Sequence, residues 1–243
     1  NTDPTVVTGA QSVTMNTNFN IEQVFQLGRL AVYDNVVGDP SVEVSITKSL
    51  DGGPLIYNLA CGSGSIVNTA DAVSRVQFSV GADTKSVIGD ATNTYTSIIC
   101  DPIYLSNLSY NFGVDGDFTE EVGFVGLSKV AGSSGLATPA AGSASRQTVL
   151  RRQNMKIADT SALPSAVGTQ ISSISISADL GRESMYKLGQ FKEFHRYVNF
   201  PLEISMDIEV IATSLDTLQI DVPNEACSGL NLGKENVSLH LCD

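Results

Sequence analysis

Residues 12–51 read SVTMNTNFNIEQVFQLGRLAVYDNVVGDPSVEVSITKSLD, and residues 173–216 read SISISADLGRESMYKLGQFKEFHRYVNFPLEISMDIEVIATSLD. The two stretches share one order of apolar, acidic, Leu-Gly and Pro positions. At a constant shift of 161 residues the aligned positions include Val13 and Ile174, Glu22 and Glu183, Phe25 and Tyr186, Gly28 and Gly189, and Pro40 and Pro201. An ordered series of this kind indicates an internal duplication.

Each copy predicts a strand, a short helix and a second strand. Alternating apolar residues predict the strands. In copy one, Asn20 is placed to cap a helix over Ile21–Leu27 that Gly28 ends. In copy two, the equivalent helix covers Arg182–Leu188 and ends at Gly189. The chain is therefore expected to contain a duplicated strand–helix–strand unit.

The glutamates of the two predicted helices, Glu22 and Glu183, hold equivalent places. Each falls in the first turn, where the helix dipole favours an acidic side chain. That position explains both residues without any function. An ion pair with an arginine of a neighbouring subunit is the alternative interpretation.

The stretch between the copies, residues 74–130, predicts a strand over Arg75–Val80 and then a hairpin. Alternating apolar residues approach Asp115-Gly116, which is typical of a two-residue turn, and return after it. Residues 131–168 form an extended arm rich in Ala, Gly, Ser and Thr. Its cations, which we expect to bind carboxylates of a neighbouring subunit, are Arg146, Arg151, Arg152 and Lys156.

The predicted fold is mainly β, an antiparallel sandwich or barrel with two short helices, the long arm and a last strand within residues 217–243. A flexible, solvated linker is the alternative for the arm. The whole chain, residues 1–243, is expected to form a single domain.

Composition restricts the classes of function. The net charge is −12 with only 16% charged residues, which argues against a nucleic-acid-binding surface because phosphate contacts need Lys and Arg. No run approaches the ~20 apolar residues of a membrane-spanning helix, so no membrane span is expected. The four cysteines contain no C-x-x-C pair and are interpreted as free thiols.

Motifs of catalysis, phosphate binding and metal binding are missing from the sequence. The sequence therefore predicts no enzyme activity, no cofactor and no metal site. The carboxylates Asp115, Asp117, Glu120 and Glu121 crowd the central hairpin and suit a divalent cation by type. A solvated hairpin tip is the simpler interpretation.

Several segments resemble tail-tube proteins of tailed bacteriophages. Within residues 171–213 the similar segments are GRE, the Leu-Gly pair that ends the predicted helix, HRYVNFP and the predicted strand LEISMDIEVIAT. YNFGVDGDFTEEVGFVGLSKV in the central region and LRRQ in the arm are similar to the same group. The resemblance covers about half of the chain.

The resemblance implies a β-sandwich subunit that joins its neighbours into rings, usually hexamers, which stack into a hollow tube. The implied partners are further copies of the chain and tail sheath, tail terminator and baseplate proteins. DNA would pass through the tube without specific binding. The implied location is the virion tail, after synthesis in the cytoplasm of the bacterial host. A duplicated unit leaves open a trimeric ring with sixfold pseudo-symmetry, and a contractile or a non-contractile tail.

The acidic net charge then suggests a mechanism. Carboxylates lining a channel repel the DNA phosphates over a Debye length of about 8 Å in physiological salt. The candidate channel residues are Asp115, Asp117, Glu120 and Glu121.

The alternatives to a tail-tube function are a capsid decoration or cement protein, which binds a capsid lattice as a trimer, and another tail or baseplate part. A carbohydrate-binding domain is a further alternative, which the lack of Trp disfavours.

Overall fold

The computed structural model describes residues 7–28, 30–61, 74–81, 95–132, 148–159, 171–211 and 238–241. The described part of the chain is mainly β, as the sequence predicts. Its strands are β1 Ala10–Phe25, β2 Val32–Ser49, β3 Ser74–Gly81, β4 Tyr95–Gly113, β5 Thr119–Gly126, β6 Lys129–Gly132, β7 Met155–Asp159, β8 Ile171–Asp179, β9 Arg182–Met185, β10 His195–Val198, β11 Glu203–Val210 and β12 Ser238–Leu241. One α-helix, α1 Ile56–Cys61, accompanies them.

The main sheet has the order β1-β2-β5-β4-β8-β11 and is curled into half a barrel. Each neighbouring pair along this path is antiparallel. Strands β3 and β6 also pair with β4, along its first half. Both copies of the repeated pattern contribute to this sheet, because β1 and β2 form one end and β8 and β11 form the other.

The core lies on one face of the main sheet. Alternate residues of the central strands are apolar, so they point to the same side. The core residues on this side include Val42, Val44, Ile46, Leu108, Val122 and Phe124. Helix α1 packs on the same side through Ile56, which is 3% exposed. A second cluster, around Phe112, Phe118 and Ile174, extends the core along the sheet.

Both predicted short helices are wrong. Residues 21–25 continue β1 and pair with β2, and residues 182–185 form β9 and pair with β10. The apolar spacing at Ile21, Val24 and Phe25 suits a helix, but β-branched and aromatic residues favour a strand once a partner strand is beside them. Asn20 does not cap a helix: its side-chain amide donates to the Asp39 carbonyl, 2.9 Å away on β2.

The two Leu-Gly pairs are the turns of hairpins instead of helix ends. Gly28 and Gly189 have φ values of +88° and +85°. Residues other than glycine adopt this backbone conformation at an energetic cost. Each turn connects strands with the same register in the two copies. Glu22 faces Val36 in copy one, and Glu183 faces Tyr197 in copy two, at the same shift of 161 residues.

The pairing predicted for the central hairpin is confirmed, but its two-residue turn is not. Strands β4 and β5 are antiparallel, with residues 114–118 between them. This connection is longer than a two-residue turn, because the residues at both of its ends form hydrogen bonds with other segments. The Val114 amide donates to the Ser172 carbonyl, and the Phe118 amide donates to the Leu150 carbonyl.

The described residues of the predicted arm pack on their own subunit. Leu150 is buried and its amide donates to the Leu50 carbonyl. A single 3-10 turn, Arg152–Asn154, follows, and β7 then pairs with β12. Arg146 lies outside the described residues. Residues 148–159 therefore do not confirm the predicted extended arm.

Candidate functional site

The face of the main sheet opposite the core is mainly polar, with Val125 and Tyr104 as apolar or aromatic members. Registers align its residues in continuous rows, because paired residues point to the same side. One row runs Thr14, Ser45, Gly123, Asn107, Asp179 and Glu203, and the next runs Ser12, Thr47, Glu121, Ser109, Ser177 and Ser205. Hydroxyl, amide and carboxylate groups dominate both rows.

Six exposed carboxylates lie on this face: Glu43, Glu121, Asp179, Glu203, Asp207 and Glu209. We call the six-strand surface that carries them the acidic face. The only Lys or Arg within these six strands is Lys48, and it points to the core side with a fully buried side chain. The six strands themselves therefore contribute carboxylates and no cationic side chain to this face. Tyr104 also points to this side, and the guanidinium groups of Arg182 on β9 and Arg196 on β10 lie 5.6 and 6.0 Å from its ring.

Hydroxyl groups hold part of the acidic face in place. The Ser45 hydroxyl donates to Glu121 at 3.1 Å, and the Ser173 hydroxyl donates to Glu209 at 3.0 Å. Hydrogen bonds to a charged group are stronger than those between neutral groups. Two of the six carboxylates are thus held in place by uncharged hydroxyl donors.

The four candidate channel carboxylates do not lie together. Glu121 is on the acidic face, whereas Asp115 and Asp117 lie in the connection between β4 and β5. The prediction that Glu120 lines a channel is wrong, because its side chain is fully buried on the core side. Its carboxylate accepts from the Ile56 and Tyr57 amides at 2.8 and 3.1 Å, and so caps helix α1.

Glu120 is one of several buried polar side chains that lie together beneath α1. Lys48 is its cross-strand partner, and the Lys48 ammonium donates to the Pro54 carbonyl at 2.9 Å and lies 3.2 Å from Asp51. Burial raises the pKa of Asp51, but the Gly53 amide and Lys48 outweigh it and leave that pKa below its ordinary value. These groups stabilise the fold and lie away from the acidic face.

The cations of the predicted arm occupy different places. Arg151 binds Asp117 of its own chain at 2.7 Å, and its expected role between subunits stays a prediction. Arg152 and Lys156 are exposed. Neither of these two exposed cations lies on a strand of the acidic face.

Sequence reasoning missed most of the acidic face. Glu203, Asp207 and Glu209 alternate with Ile204, Met206 and Ile208 along β11. That period of two, acidic on one side and apolar on the other, is the signal that identifies a strand with two different faces. The hairpin acids were more conspicuous because they are adjacent in sequence.

Two hairpins carry exposed apolar side chains. The first hairpin comprises residues 19–40, and the second hairpin comprises residues 182–198. In the first these side chains are Phe19, Ile21, Val24, Phe25, Leu27, Leu30, Val32, Tyr33, Val36 and Val37. In the second they are Met185, Tyr186, Leu188, Phe191 and Phe194. Leu27 and Leu188, at equivalent places before the turn glycines, are fully exposed.

These exposed apolar side chains form a candidate interaction surface. A two-stranded hairpin is at best marginally stable in water by itself. Contiguous exposed apolar patches mark interaction sites. An open cleft of about 580 Å³ lies where the hairpins approach each other and is lined by Phe19, Ile21, Asp39 and Tyr186.

No cluster of three or more metal-binding side chains occurs among the described residues. None of the helices that the structure describes has the length and apolar composition to cross a membrane. Comparison of the chain with known protein families finds no matching family model, and comparison with curated proteins finds no match.

Proposed function

We propose that this protein is the structural subunit of a bacteriophage tail tube, which assembles into stacked rings around an acidic channel for DNA. The observation that carries the proposal is the acidic face, to which the six strands contribute six exposed carboxylates and no cationic side chain of their own. A conduit for DNA needs a wall that phosphates do not bind. Carboxylates on a polar lattice supply that wall.

The hairpins supply the second requirement of the proposal, which is self-association. They expose apolar residues, whereas the apolar residues of the core are buried between α1 and the central strands. Burying one leucine side chain stabilises a complex by roughly 1.5–3 kcal/mol. Neighbouring copies in a ring, or in the next ring, are the partners that a tube offers.

A duplication is part of the same proposal. The hairpins have matching registers and matching turn glycines, which supports an origin from one ancestral unit, a β-hairpin. Each copy then supplies one end of a single sheet. The shared sheet favours one domain over two independent ones.

Electron microscopy of the concentrated protein in negative stain tests the proposal. Hollow rods with a continuous bore are the expected result. Small oligomers that bind only to preformed capsids would indicate a decoration protein and would contradict a tube. Compact monomers at every concentration would exclude both.

The channel itself is tested by reversing its charge. Asp207→Lys with Glu209→Lys places cations on the acidic face, and we expect tubes that still form but retain double-stranded DNA in a filter-binding assay at low salt. Arg152→Glu is a control outside that face and should leave DNA retention unchanged. Tubes of the double variant that release DNA like the native ones would contradict an acidic-face lining.

A further inference from the structure

Strand β4 changes partners in its middle. Its first half pairs with β3 as far as Ile103, and its second half pairs with β8 from Asn107 onward. Between these points the register of β4 against β5 shifts by one residue, so that Ser106 is an extra residue, a β-bulge. A bulge bends its strand and increases the local twist. We call residues 103–107 of β4, with the residues of β5 that face them, the corner.

The bulge keeps the two faces of the sheet in order. Leu105 before it and Leu108 after it are both buried in the core. They are three residues apart, so strict alternation would place them on opposite faces. The extra residue Ser106 returns Leu108 to the core side, and its carbonyl accepts from the Leu180 amide at 2.9 Å. The corner is therefore held by β5 on one side and by the residue that follows β8 on the other.

Two glycines of β5 face the corner, one on each side of the sheet. Gly123 pairs with Asn107 on the acidic face, and a Cβ atom on Gly123 would lie 2.7 Å from the Asn107 Nδ2 atom. Gly126 pairs with Ile103 on the core side, and a Cβ atom there would lie 2.7 Å from the Ile103 Cγ2 atom. Both distances are shorter than a van der Waals contact. β5 thus approaches the corner more closely than side chains at these positions would allow.

The acidic face has its glycine near the middle. Gly123 is the third of six residues in the row that runs from Thr14 on β1 to Glu203 on β11. A wall around a channel is concave toward the lumen, so side chains on that side crowd each other. Bulges and glycines are the features that let a sheet curve. The Asn107 amide lies over Gly123 where a side chain would otherwise stand, so the wall can bend here without leaving a gap.

We infer that the corner sets the curvature of the channel wall, and with it the number of copies in a ring and the width of the bore. Every copy in a closed symmetric ring turns the wall by the same angle. A sharper corner closes the ring with fewer copies, and a flatter corner needs more. The inference rests on the proposed function, because it specifies what determines the size of the rings in the tube.

Gly123→Ala tests the corner. The added methyl group meets the Asn107 amide on the acidic face, so it should push β4 and β5 apart there and flatten the wall. We expect rods with a larger diameter in negative stain, and more copies per ring in end-on views. Gly113→Ala is the matched control on β4, because a Cβ atom at Gly113 makes an ordinary contact, 3.5 Å from the Asp115 carbonyl oxygen. Its rods should keep the native diameter.

Two further variants separate the corner from general damage to the fold. Asn107→Ala removes the side-chain atoms that the new methyl group would meet, so Gly123→Ala combined with Asn107→Ala should return to the native diameter. Asn107→Phe is the second way to flatten the wall if Gly123→Ala alone does not fold. An aromatic ring over a glycine of the neighbouring strand is a stabilising contact, and its bulk acts in the same direction. Thermal unfolding shows which variants are folded.

The outcomes separate this inference from the proposed function. Wider rods from Gly123→Ala or Asn107→Phe support the corner, provided that Gly113→Ala keeps the native width. Loss of rods from Gly123→Ala supports it only where Asn107→Ala restores them, and otherwise overturns it. Native-width rods from both Gly123→Ala and Asn107→Phe would overturn the corner and leave the tube standing. A native protein that forms no hollow rods would contradict the tube and the corner together.

Discussion

The first and second hairpins have the same register and the same turn, but they are attached to the body differently. The first is a direct continuation of β1 and β2, which extend from the main sheet across a shift in register between Phe19 and Ile21. The second is separated from β8 by Leu180 and Gly181 and forms a small sheet of its own. One sequence pattern therefore gives a continuous extension in one copy and a separate module in the other.

Cations of the second hairpin account for much of this difference. Arg182 donates to the Leu105 carbonyl at 2.7 Å, and the guanidinium groups of Arg182 and Arg196 lie 5.6 and 6.0 Å from the centre of the Tyr104 ring. Arg196 also binds Glu193, with both side chains nearly buried. At the 161-residue shift, the first hairpin has Ile21 and Asn35 in place of these arginines. Hydrogen bonds and cation–π contacts thus hold the second hairpin to its own subunit.

The largest effect is expected from removing the buried ion pair. Arg196→Leu leaves the Glu193 carboxylate, 5% exposed, without its partner, and this should lower the free energy of unfolding by about 3–5 kcal/mol. Chemical denaturation measures it. Asn35→Leu, the matched change in the first hairpin, should alter stability by less than about 0.5 kcal/mol. If both changes cost the same, the ion pair does not distinguish the hairpins.

A smaller effect is expected at the tips. Leu27→Ser and Leu188→Ser change fully exposed side chains, so each should leave the unfolding of the monomer unchanged. Where a neighbour buries the tip in the assembly, each change should weaken association by about 1.5–3 kcal/mol, measured by sedimentation. An effect at only one tip would show that the two hairpins have different partners. No effect at either would contradict the proposed role of the hairpins in assembly.

The smallest effect concerns ionisation in the second hairpin. The Tyr197 hydroxyl donates to Glu183 at 2.7 Å, and this hydrogen bond, with the carboxylate charge, raises the pKa of Tyr197 above its ordinary value of 10.0. The contribution is present below pH 10 and is lost as pH rises through the folded value. Ultraviolet titration should show one tyrosine shifting down in Glu183→Gln but not in Glu22→Gln, because Glu22 faces Val36. An unchanged titration in Glu183→Gln would reject the bond.

Sequence reasoning was adequate where a period of two was long and regular. The strands around Val42–Ile46 and Ile204–Val210, the mainly β class and the central strand pair follow from it. It failed at Ile21–Leu27 and Arg182–Leu188, because segments this short fit both a helix and a strand. The partner strand that decides between them is distant in sequence or lies across a turn, so local propensity does not include it.

The candidate site shows the same limit. Adjacent carboxylates such as Glu120 and Glu121 look alike in sequence, yet alternation sends one into the core and the other to the acidic face. Which side is the core depends on α1 and on the remote strands that cover it. The acidic face became visible only when six strand registers were combined.

Lys48 and Glu120 sit opposite each other in the middle of the sheet, both completely shielded from water. A slip of one residue between β2 and β5 would send these charges to opposite sides of the sheet and exchange apolar for polar side chains along the whole strand. Such a mispaired chain would bury a charged side chain without a partner in the apolar layer. The misaligned form would therefore be less stable than the native form. This pair of charges thus disfavours incorrect alignment of β2 and β5 during folding.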